Sequence, residues 1–218
     1  MGVRRCIALL GGSFDPVHNA HVALGTYFCR LLHPDELRLL PAGNPWQKST
    51  LKASTADRVE MLRLAFEREP VPVTIDQQEI QRQSATYTID TLRAIRAEVG
   101  PETSIAFLIG ADQLQQFDTW KDWRQLFDLA HICAASRPGF SVDTARMPAE
   151  VAQEFSRRAA TTDQIRDTPH GLTYIAANLA IDVSATAIRA AFQRGEQPDS
   201  LIPPAVLDYI KLHHLYRS

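Results

Sequence analysis

The chain has 218 residues, of which 45% are hydrophobic and 22% are charged, a composition typical of a soluble globular protein with one sizeable core. Its 23 basic and 25 acidic side chains give a net charge of −2, which does not favour a nucleic-acid partner. The apolar run near the N-terminus ends at Gly11, too early for a signal peptide, and no run is long enough to span a bilayer. We therefore expect a cytoplasmic protein without a membrane partner. Three widely spaced cysteines are expected to be buried thiols: Cys6, Cys29 and Cys133.

Short apolar runs alternate with amphipathic stretches along most of the chain. The apolar runs predict strands at Cys6–Leu10, Glu36–Leu40, Val71–Ile75, Ser104–Ile109 and His131–Ala135. The amphipathic stretches predict helices at Val22–Leu32, Ala56–Arg68, Thr88–Val99 and Asp122–Leu129. This alternation predicts an α/β fold with a doubly wound parallel sheet, in which ligands bind beyond the carboxyl ends of the strands.

The rest of the chain is interpreted as part of the same domain. We expect a single domain over residues 1–218, with a small helical subregion over about 184–218. Residues 141–170 are polar and predict one helix at Ala149–Ala160 between variable loops.

The first strand leads into the segment Gly11-Gly12-Ser13-Phe14-Asp15-Pro16-Val17-His18-Asn19-Ala20-His21. The glycines allow a sharp turn and a close approach, and a helical pattern follows, so the segment predicts an anion site at a helix N-terminus. His18 and His21 are three residues apart and can face the same anion. The alternative is a plain glycine turn with histidines that cap the helix. The segment is neither a G-x-G-x-x-G loop nor a P-loop, and no third ligand stands at a metal-binding spacing.

This segment resembles the G-G-x-F-x-P-x-H-x-G-H signature of the nucleotidyltransferase superfamily, whose members transfer a nucleotidyl group to a phosphate. Six positions match, and Ala20 stands where the family usually has glycine. The resemblance implies that His18 and His21 are catalytic. It also implies an ATP-binding segment made of Gly11, Gly12, Ser13 and Phe14.

The loop after the second strand contains Pro45-Trp46-Gln47-Lys48, where the family often has Pro-Pro-His-Lys. The resemblance implies that Lys48 neutralises triphosphate charge, and a solvated loop lysine is the alternative. Ser54 or Thr55 is expected to cap the next helix. Arg58, where the family also has arginine, is interpreted as a structural or ion-pairing residue.

Four segments in the middle of the chain also resemble the family. Ala85–Leu92 is similar to S-Y-T-x-D-T-L, Gly110-Ala111-Asp112 to Gly-x-Asp, and Arg137-Pro138-Gly139 to Arg-Pro-Gly, while Trp120 matches a tryptophan that stacks on a nicotinate ring. Capping by Thr88 or Asp112 is the alternative for two of these segments, and Trp123 is expected in the core. The resemblance implies a mononucleotide site made of Thr86, Tyr87, Thr88, Gly110, Asp112, Trp120, Lys121 and Arg137.

A second signature lies at Val183-Ser184-Ala185-Thr186-Ala187-Ile188-Arg189. Ser184 or Thr186 can cap the following helix, and Arg189 lies one turn inside, where it can reach an anion. The segment resembles the family motif I-S-S/T-T-x-I-R, which implies that Arg189 is catalytic and that Ser184, Thr186 and Arg189 hold ATP phosphates. A capped helix with a surface arginine is the alternative. Gly195 is expected to end this helix, and Pro203-Pro204 to open the last one.

Together these segments resemble the nicotinate-nucleotide adenylyltransferase family. The resemblance implies that ATP and nicotinate mononucleotide form deamido-NAD and pyrophosphate, with Mg²⁺ bound through the ATP phosphates rather than by protein ligands. A homo-oligomer remains open. The alternatives are a sister transferase that acts on nicotinamide mononucleotide, phosphopantetheine or a sugar phosphate, and a non-catalytic nucleotide-binding regulator.

Overall fold

The computed structural model describes residues 4–43, 51–82, 85–135, 147–176 and 183–216 of the chain. The strands are β1 (Cys6–Gly12), β2 (Glu36–Pro41), β3 (Val73–Ile75), β4 (Ser104–Gly110), β5 (His131–Ala135) and β6 (Thr173–Ala176). They form one sheet in the spatial order β3-β2-β1-β4-β5-β6, and every neighbouring pair is parallel. The predicted doubly wound parallel sheet is therefore confirmed.

Helices cover both faces of this sheet. In the described residues the α-helices are α1 (Asn19–Leu32), α2 (Thr55–Ala65), α3 (Gln78–Gln81), α4 (Thr88–Val99), α5 (Ala149–Arg157), α6 (Thr162–Asp167), α7 (Ala185–Gln193) and α8 (Pro204–Leu212). Two 3₁₀ segments lie between β4 and β5, at Ala111–Thr119 and Trp123–Asp128. None of the described helices combines the length and the apolar character needed to cross a membrane.

The side chains of β1 alternate between two hydrophobic cores. Ala8 and Leu10 belong to the core under α1, α2, α6, α7 and α8. Ile7 and Leu9 belong to the opposite core, under α4, α5 and the two 3₁₀ segments. All four side chains are buried, because a parallel strand covered on both faces has no solvent side. This explains why β1 is a continuous apolar run in the sequence.

The winding of the sheet reverses between β1 and β4. From β1 the chain runs outward through α1 and β2 to β3, and it then returns through α4 to β4 on the other side of β1. Leu10 of β1 pairs with Leu39 of β2 and with Leu108 of β4. A crevice opens at such a reversal, beyond the carboxyl ends of the strands. The fold therefore places the segments after β1 and β4 around one crevice.

Among the described residues, four elements are not predicted from the sequence. They are α3, α6, the first 3₁₀ segment and β6, the last being an edge strand of four residues. The start of α6 is a capping box, in which Thr161 and Gln164 exchange side-chain-to-backbone hydrogen bonds. The T-x-x-Q spacing is a sequence signal for that helix start. The predicted helix at Ala149–Ala160 ends earlier, at Arg157, because the next residues pair with β6 through hydrogen bonds to Thr173.

Most of the other predicted boundaries are confirmed within a few residues. α4 has the predicted bounds, β3 begins at Val73 rather than Val71, and the stretch predicted as a helix over Asp122–Leu129 is the second 3₁₀ segment. Ser54 is the cap of α2, since its hydroxyl accepts the Asp57 N–H at 3.1 Å. The three cysteines are buried free thiols, as predicted. Gly195 follows α7 with a φ of 75°, and Pro204 opens α8.

Candidate active site

β1 continues through both glycines of the first signature before the chain turns. Gly11 and Gly12 still pair with β2, so the predicted sharp turn at the glycines is wrong. The backbone turns after Ser13, where Phe14 has a φ of 47°. A Cβ atom on Gly12 would lie 3.1 Å from the Phe14 ring. Gly12 is therefore needed for close approach between the strand and this ring.

Two buried side chains, those of Phe14 and Arg58, stabilise this turn. Phe14 is fully buried, and its ring packs edge-on against His21 with 4.9 Å between centroids. Phe14 is not among the residues that line the cleft described below, and its expected ATP contact stays a prediction. Arg58 is only 1% exposed and donates from Nη1 to the Ser13 carbonyl at 2.8 Å, which confirms its structural interpretation.

His18 and His21 form a stacked pair at the start of α1. Their ring centroids lie 3.7 Å apart, and the planes differ by 22°. His18 is the N-cap of α1, and its backbone N–H donates to Nδ1 of His21 at 3.2 Å. An Nδ1 that accepts a hydrogen bond keeps the hydrogen of the neutral ring on Nε2. His21 therefore caps the helix through one nitrogen and offers a donor at the other.

The second signature forms the start of α7. Ser184 is the N-cap, since its hydroxyl accepts the Ala187 N–H at 3.2 Å. Thr186 lies inside the helix and accepts a hydrogen bond from Nη2 of Arg189 at 3.2 Å. Nη1 of Arg189 donates to the backbone carbonyl of Asp15 at 2.6 Å. The guanidinium group therefore connects the second signature to the first.

The first turns of α1 and α7 line the same cleft. Both histidines, Ser184, Thr186 and Arg189 are among its lining residues. Helix N-termini carry unsatisfied N–H groups and a partial positive charge, and Arg189 adds a full one. This half of the cleft is therefore suited to a polyanion such as a triphosphate. We call it the phosphate half.

The segment Thr86-Tyr87-Thr88 also lines the cleft, on the face of the sheet covered by α4 rather than by α1 and α7. Tyr87 precedes α4 as its N-cap and Thr88 is the first helical residue, so the alternative of capping by Thr88 is wrong. The chain around Thr86 and Tyr87 leads into the N-terminal turn of α4, whose amides are suited to an anion. We call this the acceptor half.

Glu79 is a cleft residue that the sequence analysis does not predict. It lies in the short helix α3 and lines the acceptor half. Its carboxylate accepts the Thr91 hydroxyl at 2.7 Å and is also hydrogen-bonded to the Thr86 side chain. Burial raises the pKa of Glu79. A glutamate in a four-residue helix has no sequence pattern that distinguishes it from a surface residue, so only the fold identifies it.

The end of β4 contributes Gly110 and Asp112 to the cleft. Gly110 is the N-cap of the first 3₁₀ segment and Asp112 lies inside that segment, so the capping alternative for Asp112 is wrong. The carboxylate of Asp112 folds back over the strand end, where a Cβ atom on residue 110 would overlap it. Asp112 is exposed, and this leaves its carboxylate accessible to a ligand.

Trp120 and Lys121 complete the acceptor half. The Trp120 ring packs on Phe117 with 5.1 Å between centroids and edge-on against Phe107 at 6.3 Å. Lys121 places its Nζ 4.6 Å from the centroid of the Tyr87 ring. Trp123, in contrast, is buried in the core as predicted. Trp120 is thus held as a flat apolar wall at the cleft.

The two halves form one cleft of about 720 Å³, within the range of small-molecule sites. The cleft lies where the fold predicts it, beyond the ends of β1 and β4. It brings together the predicted site residues that the structure describes, apart from Phe14. The predicted contacts of Lys48 and Arg137 lie outside the described residues. Within the described ranges, no group of three or more His, Cys, Asp or Glu side chains could hold a metal ion.

Comparison with known proteins gives a consistent result. A family model described as cytidylyltransferase-like matches residues 9–191. A protein from Herminiimonas arsenicoxydans named "probable nicotinate-nucleotide adenylyltransferase" is 68% identical over 99% of both chains. A protein of the same name from Laribacter hongkongensis is 46% identical over 99% of this chain and 96% of its own. The chain belongs to the nicotinate-nucleotide adenylyltransferase family.

Solved structures agree with this family at the level of the fold. Nicotinic acid mononucleotide adenylyltransferase from Plasmodium falciparum, complexed with NaAD, superposes with a TM-score of 0.73 at 17% identity and 98% coverage of both chains. A putative nicotinate-nucleotide adenylyltransferase from Vibrio parahaemolyticus gives a TM-score of 0.63 at 16% identity, over 97% of this chain and 95% of that one. The fold of this family member is therefore that of a nucleotidyltransferase.

Proposed function

We propose that the chain transfers the adenylyl group of ATP to nicotinate mononucleotide, giving deamido-NAD and pyrophosphate in NAD biosynthesis. The observation that supports this most is that two helix N-termini, the Arg189 guanidinium group and the Trp120 ring all line one cleft. ATP would occupy the phosphate half and the mononucleotide the acceptor half. The names of the full-length relatives support the same reaction.

The reaction joins two anions, so the site must offset their repulsion and align them. A phosphate oxygen of the mononucleotide attacks the α-phosphorus of ATP, a new O–P bond forms, and the bond from the α-phosphorus to the bridging oxygen breaks. The electron pair leaves with pyrophosphate. No side-chain nucleophile is needed, because the acceptor phosphate is itself the nucleophile.

The phosphate half supplies donors to the charge that develops on the leaving group. Nε2 of His21 is the nitrogen that can donate, because Nδ1 already accepts the His18 N–H. We infer that His18 and His21 bind the α- and β-phosphates, while Ser184, Thr186 and Arg189 bind the β- and γ-phosphates from α7. Gly11, Gly12 and Ser13 would form the strand end beneath the nucleotide. A single preorganised donor of this kind contributes about 3 kcal/mol to transition-state stabilisation.

The acceptor half would hold the pyridine and its ribose. The Trp120 ring can stack on nicotinate, and backbone N–H groups near Thr86-Tyr87-Thr88 can donate hydrogen bonds to its carboxylate. Asp112, beside Gly110, can accept ribose hydroxyls, and Lys121 adds positive charge at the rim. We propose contacts from Lys48 and Arg137 on the basis of the family resemblance alone.

We propose that Mg²⁺ enters with ATP. The donor set fits a cation carried by the triphosphate better than a protein metal site, because the Asp15 carboxylate in the phosphate half already accepts three hydrogen bonds. When bound, Mg²⁺ would neutralise phosphate charge. The residues of the phosphate half would hold the cation indirectly, by binding the triphosphate that carries it.

Pyrophosphate release tests the proposed function. Purified protein is given ATP and Mg²⁺ with nicotinate mononucleotide, nicotinamide mononucleotide, phosphopantetheine or no acceptor, and the product is identified by mass. We expect rapid release with nicotinate mononucleotide and formation of deamido-NAD. Preference for phosphopantetheine would identify a sister transferase, and binding of ATP without release would identify a regulator.

Comparison of nicotinate mononucleotide with nicotinamide mononucleotide tests a finer hypothesis, that the acceptor half prefers the acid. The acid carries a carboxylate oxygen where the amide carries an NH₂ group, and backbone N–H donors can hydrogen-bond only to the oxygen. Each lost partner costs about 1–3 kcal/mol, so two donors give about a hundredfold preference for the acid. A kcat/KM ratio near one would contradict the donor pocket and indicate dual specificity.

A further inference from the structure

Asp15 joins three parts of the chain at the phosphate half of the cleft. Its Oδ2 accepts the Lys52 N–H at 2.7 Å, and its Oδ1 accepts the Ala53 N–H at 3.0 Å. Oδ1 also accepts the hydroxyl of Tyr216 at 2.8 Å. The carboxylate is buried, with 3% of the residue exposed, so each of these hydrogen bonds is shielded from bulk water. Asp15 therefore holds the segment before α2 and the C-terminal turn against the first signature.

The same residue also fixes the arginine of the second signature. The backbone carbonyl of Asp15 accepts Nη1 of Arg189 at 2.6 Å. A shift of Asp15 would therefore move Arg189 as well as the segment at Lys52. Both Arg189 and Lys52 line the phosphate half.

Tyr216, near the C-terminus, connects Asp15 to α7. Its ring stacks on Phe192 of α7, with 6.2 Å between centroids and 18° between planes. Burial, and then the neighbouring Asp15 carboxylate, raise the pKa of Tyr216, so its hydroxyl remains a donor at neutral pH. Tyr216 is not among the residues that line the cleft. Any effect of its hydroxyl on the reaction must therefore pass through Asp15, which accepts that hydroxyl.

We propose that Tyr216 is a positioning residue for ATP, which holds Asp15 so that Arg189 and the Lys52 segment face the triphosphate. This inference rests on the proposed function for the identity of the nucleotide. It predicts that loss of the Tyr216 hydroxyl weakens interactions with ATP and leaves those with the mononucleotide unchanged.

Tyr216→Phe is the test, and Tyr209→Phe is its matched control. Tyr209 also donates its hydroxyl to a carboxylate, that of Asp57 at 3.0 Å, but neither of these residues lines the cleft. Tyr216→Phe keeps the ring that stacks on Phe192. We expect Tyr216→Phe to lower kcat/KM for ATP about tenfold, the effect of one hydrogen bond to a charged group. KM for nicotinate mononucleotide should stay at the wild-type value, and Tyr209→Phe should match the wild type for both substrates.

Equilibrium binding of Mg²⁺-ATP without acceptor keeps this test independent of the overall reaction. If the wild type releases no pyrophosphate, the proposed function fails, but a weaker ATP affinity in Tyr216→Phe than in Tyr209→Phe still supports the positioning role. Asp15→Asn weakens the same bond from the acceptor side and should act in the same direction. Equal ATP affinity and kinetics in the two tyrosine variants, or an equal loss for both substrates, would overturn the inference.

Discussion

His21 combines two functions that a pair of substitutions can separate. Nδ1 accepts the His18 N–H at 3.2 Å and supports the start of α1, whereas Nε2 offers the donor that we assign to the ATP phosphates. His21→Asn keeps an acceptor oxygen near the position of Nδ1 but does not reach as far as Nε2. His21→Ala removes both groups.

Loss of each function has a different free-energy cost. Loss of an N-terminal cap costs about 1 kcal/mol of unfolding free energy, so we expect His21→Ala to lose about that amount and His21→Asn to stay close to the wild type. Loss of a donor to developing charge costs about 3 kcal/mol in the transition state, or about a hundredfold in rate. We therefore expect turnover to fall at least a hundredfold in both variants.

The assay is the initial rate of pyrophosphate release at saturating ATP, Mg²⁺ and nicotinate mononucleotide, with unfolding free energies from urea titrations of the same samples. The expected pattern is loss of turnover in both variants and loss of stability in His21→Ala alone. If His21→Asn keeps turnover within a few-fold of the wild type, His21 serves only as a helix cap and the assignment of Nε2 is refuted.

Three further predictions follow from the contacts. Arg189→Lys loses the planar fork that donates to Asp15 and Thr186 at 2.6 and 3.2 Å. We expect kcat/KM for ATP to fall about tenfold or more, together with a lower melting temperature because these hydrogen bonds are lost. Normal ATP kinetics with only a lower melting temperature would make the arginine structural. Trp120→Ala should raise KM for both pyridine mononucleotides equally and leave ATP binding unchanged, which separate binding titrations would measure. If only the affinity for nicotinate mononucleotide fell, ring stacking would be contradicted. Burial lowers the pKa of His131 from 6.5 to about 4, so between these values the unfolded chain binds a proton that the folded chain does not. The unfolding free energy should therefore decrease by about 3 kcal/mol as the pH is lowered from 6.5 to 4, and urea titrations over this range should show a weaker pH dependence in His131→Gln than in the wild type.

The sequence predicts most of the sheet because buried parallel strands are continuous apolar runs. β6 is the exception, since Thr173–Ala176 is a short edge strand whose pairing with β5 depends on distant residues. The histidines and Arg189 could be predicted because they belong to local signatures. In contrast, the bond between Asp15 and Tyr216 joins positions 201 residues apart, and no local pattern indicates it.

Several expectations from the sequence stay predictions. They are the contacts of Lys48 and Arg137, the use of Mg²⁺, the single-domain organisation, the cytoplasmic location and self-association. The glycine turn shows why local patterns can mislead. Gly11 and Gly12 resemble turn residues, yet both stay in β1, and Gly12 leaves room for the Phe14 ring.

We claim that the cleft directs an acceptor phosphate to the α-phosphorus of ATP. The most direct measurement uses ATP labelled at either the α- or the γ-phosphate, with Mg²⁺ and nicotinate mononucleotide, and follows the label in the separated products. We predict that the α-label appears in deamido-NAD and the γ-label in pyrophosphate. A γ-label in the mononucleotide product, or inorganic phosphate in place of pyrophosphate, would contradict the claim.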